Sequence, residues 1–297
     1  MNGKSFELSV NWNTEHLCSG YKIYTIMKKI LLLAVSALMT VFCVAQTKNV
    51  ARQKSLVLYY SQTGTTKVVA DEIRKLTGAD IAVIELENPY SGDFQQTIAR
   101  CQDEKGKGIF PVLKPLKADV SKYDVIYLGY PIWFGTYAPP VEALVKKVTF
   151  EGKTIVPFCT FGSGGLEVSV RDLRKALPKA TVKDGYGVRT ARKDAVSAEV
   201  DRFLKENGYI AGKVEPLPDY SVQKPVTDAE KKLFDEACSN YQFPLGTPVT
   251  VGKRSTKAGT DYKFTVKSRG MDGKDAESVI LVTVKKGTKA EFTRVIR

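Results

Sequence analysis

The stretch SLVLYYSQTGTTKVVADEIRKL, residues 55–76, changes its pattern twice. Ser55 to Tyr60 is a short apolar, β-rich run. Ser61 to Thr66 is a turn of hydroxyls around one glycine, and from Thr66 to Leu76 the residues Val69, Ile73 and Leu76 recur on one helical face. The reading is strand, loop, helix. At such a junction the backbone N–H groups and the helix N-terminus converge on one point, and that point favours an anion. Ser61, Thr63, Thr65 and Thr66 add hydroxyl donors, and Gly64 admits a backbone conformation that most residues resist. No lysine stands where a P-loop would place one for a nucleoside triphosphate, so the expected anion is a phosphate monoester. Ordinary strand-to-helix turns also use Ser, Thr and Gly as caps, and the loop by itself leaves both readings open.

Working outward, further strands are predicted at Ala79 to Leu86, Tyr123 to Tyr130, Thr154 to Phe161 and, more weakly, Ala180 to Asp184. Helical stretches fall between them at about 93–105, 138–147, 166–177 and 194–206. Strands alternating with helices imply a parallel sheet covered on both faces. Near Gly208 the pattern changes. Glu215-Pro-Leu-Pro-Asp219 reads as a linker within residues 209–226, because its prolines obstruct both helix and ladder. In a second domain, 227–297, Thr227 and Glu230 form a capping-box pattern ahead of one helix with Leu233, Phe234 and Ala237 on its apolar face. Four period-2 runs follow, Val249 to Lys253, Asp261 to Ser268, Ser278 to Lys285 and Ala290 to Ile296, as expected of an antiparallel meander.

The chain has 297 residues, 43% hydrophobic, with a formal net charge of +13, enough for one large domain or two ordinary ones. The lysines are scattered rather than massed with aromatics, so nucleic-acid binding is not expected. Met27 to Ala45 has a charged start, an apolar centre and small residues before Gln46, the pattern of a secretory signal cleaved after Ala45. The apolar run is shorter than a spanning helix needs. Residues 1–26 read as an upstream extension outside the fold, with Met27 a natural initiator, and the expected location is periplasmic or secreted. Lipidation at Cys43 is the alternative; bulky Phe42 before it stands against that. Cleavage leaves Cys101, Cys159 and Cys238, too far apart to form a disulfide framework. The single histidine, His16, lies in the discarded segment, which excludes a His-based metal site or catalytic triad from the mature chain.

The loop residues Ser61, Thr63, Gly64 and Thr66 match in place the T/S-x-T-G-x-T phosphate loop of the flavodoxin family, which this sequence resembles over about residues 54–208. The segment Tyr130 to Pro140 looks like the family's loop over the flavin ring, and Thr160 to Gly165 like the loop that meets its pyrimidine edge. The resemblance implies a doubly wound five-stranded parallel sheet of order 2-1-3-4-5 with FMN at the switch point of the first and third strands. The cofactor-binding residues it implies are Ser61, Gln62, Thr63, Gly64, Thr65 and Thr66; Pro131, Ile132, Trp133, Phe134, Gly135 and Tyr137; and Thr160, Phe161, Gly162, Gly164 and Gly165. Trp133 is one of two tryptophans, and its Pro- and Gly-flanked place argues for stacking on a flat ligand, with core packing as the alternative. Tyr137 or Phe134 is the candidate for a second ring face, core packing serving either equally well. Gly135 would let a peptide reorient toward the flavin N5, and Glu167 reads as a helix cap rather than a ligand contact.

The carboxyl-terminal domain resembles the cystatin fold, one helix followed by an antiparallel sheet. The inhibitory Q-x-V-x-G of that family is replaced here by Ser255-Thr-Lys-Ala-Gly259, and no tryptophan follows residue 133, so docking module or structural appendage is the expectation. The signal pattern and the resemblances together imply an exported FMN-binding electron-transfer protein serving unidentified redox partners. The alternatives are an FMN-dependent NAD(P)H:quinone or nitro-compound reductase, and a non-redox module that binds proteins through its second domain. Family electron carriers are usually acidic, and this chain is basic, which puts the familiar cytoplasmic partners in doubt.

Overall fold

Leu56, Val57 and Leu58 of strand β1 (Ser55–Tyr59) are all fully buried, as in a strand covered on both faces. The computed structural model describes residues 53–269 and 273–296. The signal segment 27–45, the upstream extension and Cys43 lie outside the described residues. From Lys54 onward the chain forms one compact unit.

Helix α1 (Thr65–Thr77) starts at Gly64 and stops at Gly78, whose left-handed conformation lets its N–H return to the Arg74 carbonyl. Strands β2 (Asp80–Val83), β3 (Val125–Trp133) and β5 (Thr154–Phe161) run parallel to β1. The sheet order is β2-β1-β3-β5, with β6 (Thr181–Val182) and β7 (Tyr186–Arg189) sharing the far edge, which is the doubly wound order expected. Alternate residues of β1 feed two cores. Leu56 and Leu58 join Ile126, Leu128, Val141, Leu144 and Leu173 beneath α2 (Phe94–Lys107), α3 (Pro139–Lys147) and α4 (Leu166–Ala176). Val57 and Tyr59 join Val69, Ile73, Val156, Phe158, Val200 and Leu204 beneath α1 and α5 (Val196–Glu206).

Three elements differ in extent from the sequence reading. Only Asp80–Val83 pairs with β1, and Leu86 makes an isolated antiparallel bridge to Leu113. The fifth strand is broken opposite Pro157, which has no N–H to offer a ladder, so pairing resumes at Tyr186 against Phe158. Strand β3 runs on to Trp133, turns over Phe134-Gly135 and returns as β4 (Thr136–Tyr137), forming a short antiparallel ear.

In the carboxyl-terminal part, α6 (Asp228–Cys238) begins with the full capping box between Thr227 and Glu230. It packs Phe234 onto Phe264, Val266, Ile280, Val282 and Phe292 of a sheet ordered β12-β11-β10-β9-β8. The four long antiparallel strands are β9 (Thr247–Ser255), β10 (Gly259–Arg269), β11 (Asp275–Lys285) and β12 (Ala290–Ile296). The stretch read as linker ends in β8 (Lys224–Pro225), an edge strand, where a missing N–H is tolerated.

Candidate functional site

At the carboxyl ends of β1, β3 and β5 lies a crevice of about 480 Å³, within the range of small-molecule sites. Gln62, Thr63 and Thr66 line it from the first loop, Pro131, Ile132, Trp133 and Phe134 from the second, and Thr160, Phe161 and Gly162 from the third. The three predicted loops therefore share one hollow. Among the described residues, no ionisable side chain is in its lining.

The first loop presents unspent helix-end donors. Gly64 sits at φ 89° as the N-cap of α1, which has neither a side-chain cap nor an acidic residue in its first turn. Lys67 N–H donates to Ser61 Oγ at 3.3 Å, and Val68 N–H to the Gly64 carbonyl at 3.2 Å. Thr66 and Thr160, both buried, place their hydroxyl oxygens 2.8 Å apart, tying the first loop to the third. One proton serves that bond, and the pair carries two, so one remains for a ligand oxygen. Hydroxyls and helix-end amides without an acidic neighbour suit a phosphate group.

Gln62 is a strap. Its carbonyl oxygen accepts from Tyr60 Oη at 2.6 Å, and its amide donates to the Ser91 carbonyl at 2.6 Å. Burial raises the Tyr60 hydroxyl well above its usual range, so it stays a donor. Trp133 is half-buried and held edge-on by Tyr60 and Tyr90, with ring centroids 5.9 and 5.2 Å away. Tyr90 is fixed in turn. Its hydroxyl donates to buried Glu104, whose other oxygen accepts from Arg100 Nε at 2.8 Å, and the Arg100 guanidinium lies 4.1 Å over the tyrosine ring. Burial, then the bond to Glu104, raise the Tyr90 hydroxyl far above its usual range. An indole locked by two rings and a neutral, apolar surround fits a planar heterocycle.

Other predicted residues fall elsewhere. Tyr137 is not on the crevice: the tight turn pairs it with Ile132, and its ring packs against buried Tyr130 with centroids 6.1 Å apart. Ser61, Gly64 and Thr65 build the first turn without forming part of the crevice lining, and Gly135, Gly164 and Gly165 line an adjoining hollow. Glu167 stands in the first turn of α4 and pairs with Arg294 at 3.4 Å. The crevice also includes residues not predicted: Gly92, Phe94, Thr97 and Ile98 after β2, and Thr190 after β7. The available signal was Gly92-Asp93, a turn and N-cap at the carboxyl end of the second strand, where a doubly wound sheet collects ligand contacts.

The third loop is braced by the carboxyl-terminal part. Val295 N–H donates to the Ser163 carbonyl at 2.8 Å, in a parallel bridge at Gly164. Arg189 donates through Nε to the Gly162 carbonyl at 2.7 Å and through Nη1 to the Phe292 carbonyl at 2.9 Å. Buried Arg192 joins Glu199 at 2.8 Å to Glu291 of β12 at 3.2 Å.

A family model described as Flavodoxin matches residues 54–203. Among solved structures, a flavoprotein from Bacteroides eggerthii is 30% identical, with a TM-score of 0.44, and the match covers 50% of this chain and 97% of that one. A flavoprotein from Lactobacillus acidophilus, solved in complex with FMN, is 25% identical with a TM-score of 0.43, covering 52% of this chain and 99% of that one. Oxidised Flavodoxin 2 from Bacillus cereus is 17% identical with a TM-score of 0.33, covering 52% and 99%. No curated protein matches the chain.

Proposed function

The chain belongs to the flavodoxin family and has its FMN-binding fold, and from that premise we propose an exported electron-transfer flavoprotein holding one FMN non-covalently in the crevice. The observation that carries this reading is the sharing of one hollow by Thr63, Thr66 and Trp133, phosphate-type donors and a flat apolar ring. FMN, when bound, supplies one- and two-electron redox chemistry.

The chain's own residues bind, orient and exclude water. The uncapped N-terminus of α1 and the hydroxyls of Thr63 and Thr66 receive the phosphate without a cationic side chain. Trp133, Phe134 and Phe161 keep water from the ring, and the Tyr60 and Tyr90 edges hold the indole in place. Arg189 and Val295 immobilise the third loop, so its polar backbone groups are positioned before the cofactor arrives. The carboxyl-terminal α+β part, cystatin-like in its helix-then-meander order, serves here as the brace and as a docking module. Export follows from the signal pattern at 27–45.

The test is the cofactor content and start of the mature protein. Protein recovered from the exported fraction is expected to be yellow, to release one equivalent of FMN on denaturation, and to begin at Gln46. A colourless protein that FMN cannot reconstitute would remove the redox reading, and a cytoplasmic protein retaining residues 27–45 would remove export.

A further inference from the structure

A second hollow of about 880 Å³ adjoins the crevice, the two sharing Phe94, Ile132, Phe134, Phe161, Gly162 and Thr190. One side of it is the third loop of the flavodoxin part. The other is the segment after α6, which brings Tyr241 and Phe243.

Phe94, Phe134 and Phe243 are 63%, 56% and 54% exposed, so large aromatic surface faces water around one concavity. Such a concentration marks a binding surface. Phe134 is there at a cost. The two-residue turn between β3 and β4 has φ of 51° at Phe134 and 83° at Gly135, the left-handed pair of a type I′ hairpin. Asn or Gly takes the first of those positions readily, whereas a bulky side chain is strained there. Strain of this kind persists at ligand clamps.

Charge selects among aromatic ligands. Glu167 is engaged by Arg294 at 3.4 Å, and Asp172 by the Thr136 hydroxyl at 2.8 Å and Arg171 at 3.9 Å. Arg189 differs. Both its hydrogen bonds go to neutral carbonyl oxygens, and among the described residues no carboxylate lies within ion-pair distance of it. A guanidinium has five N–H donors, so donors remain after those two bonds. We infer that this hollow binds a planar aromatic molecule carrying one anionic group, held between Phe134 and the Tyr241–Phe243 segment with its anion toward Arg189. The inference rests on the crevice being the FMN site, beside which the ligand would lie.

The test titrates 2-naphthoate into the FMN-loaded full mature chain by calorimetry, with naphthalene-2-carboxamide and 2-naphthylmethylammonium as neutral and cationic controls. Naphthoate is expected to bind most tightly. Phe243→Ser, remote from the crevice lining, is expected to weaken naphthoate about tenfold or more while leaving the FMN dissociation constant within about twofold. Phe134→Asn is expected to melt no lower than the parent yet to weaken naphthoate similarly. No naphthoate binding, unchanged affinity in Phe243→Ser, or equal binding of the cationic control would overturn the proposal. So would displacement of naphthoate from apoprotein by FMN, which would place it in the crevice. Should the protein hold no FMN, the same titration of apoprotein and of Phe243→Ser still reads the hollow, separating this failure from that of the cofactor reading.

Discussion

Two turns in this molecule follow one local recipe and end in opposite circumstances. Gly64, at φ 89°, opens α1 after β1, and Gly165, at φ 115°, opens α4 after β5; neither helix has a side-chain cap. A Cβ at Gly64 would meet nothing within 4 Å. A Cβ at Gly165 would lie 2.8 Å from Ile132 Cγ2, and one at its neighbour Gly164 would lie 2.1 Å from the Val295 carbonyl oxygen. The first turn is open, and its Lys67 N–H is met only from within the same loop, by Ser61 Oγ at 3.3 Å. The second is covered, its Gly162 and Ser163 carbonyls taken by Arg189 and Val295. Local sequence sets the conformation of such a turn, and the neighbours decide whether it binds or is bound.

The largest expected effect lies on the covered side. Gly164→Ala drives a methyl into a backbone carbonyl that cannot rotate away, and it should cost about 2–3 kcal/mol in denaturant unfolding. A variant as stable as the parent would show that β12 does not seat on the third loop. On the open side, Trp133→Ala should weaken FMN by about 1–3 kcal/mol, read by fluorescence titration on the folded variant. An unchanged dissociation constant would leave Trp133 a core residue only.

Acid probes the brace from its own fold. Partial burial of Glu230 works to raise its pKa, but the bonds from Lys253 and from the Thr227 N–H and hydroxyl outweigh it, lowering the pKa from 4.5 to about 2. The unfolded state then binds the proton first as pH falls, so the contribution is complete above about 4.5 and is lost as pH drops toward 2. Glu230→Gln should remove about 1–2 kcal/mol of stability at pH 7, screening included, and flatten the acid limb of the stability curve. A parallel pH profile in the variant would sink this assignment. The smallest effect belongs to Gly64→Ala, about 1 kcal/mol of left-handed strain without collision. If it costs as much as Gly164→Ala, the contrast between the turns fails.

The parts legible in advance were those with strong local codes. Buried apolar runs announced β1, β3 and β5; Gly78 announced the end of α1; and Thr227 with Glu230 announced α6. That the first loop and Trp133 would meet in one hollow was legible because hydroxyls, a glycine and a rare indole sat directly after strands. The wall from Gly92 to Ile98 was not, because its residues touch the crevice only once the β2–α2 connection folds over the sheet end. Tyr137 was misplaced for a related reason: the reversal at Phe134-Gly135 is a backbone event, and it turns the tyrosine onto Tyr130 instead of the crevice. The broken fifth strand depended on Pro157 standing opposite it, a cross-strand fact that no single run of residues contains.

The sequence by itself determined the alternation of elements, the family of the first part and the chemical character of the loops, because periodicity, capping and glycine placement act over a few residues. Tertiary structure alone decided that β12 lies against the third loop, that Arg189 bridges the two parts, and that an aromatic hollow opens beside the crevice. Those outcomes join residues about a hundred or more positions apart, as with Arg189 and Phe292, and contacts of that span arise from the packing of whole surfaces rather than from any local preference of the chain.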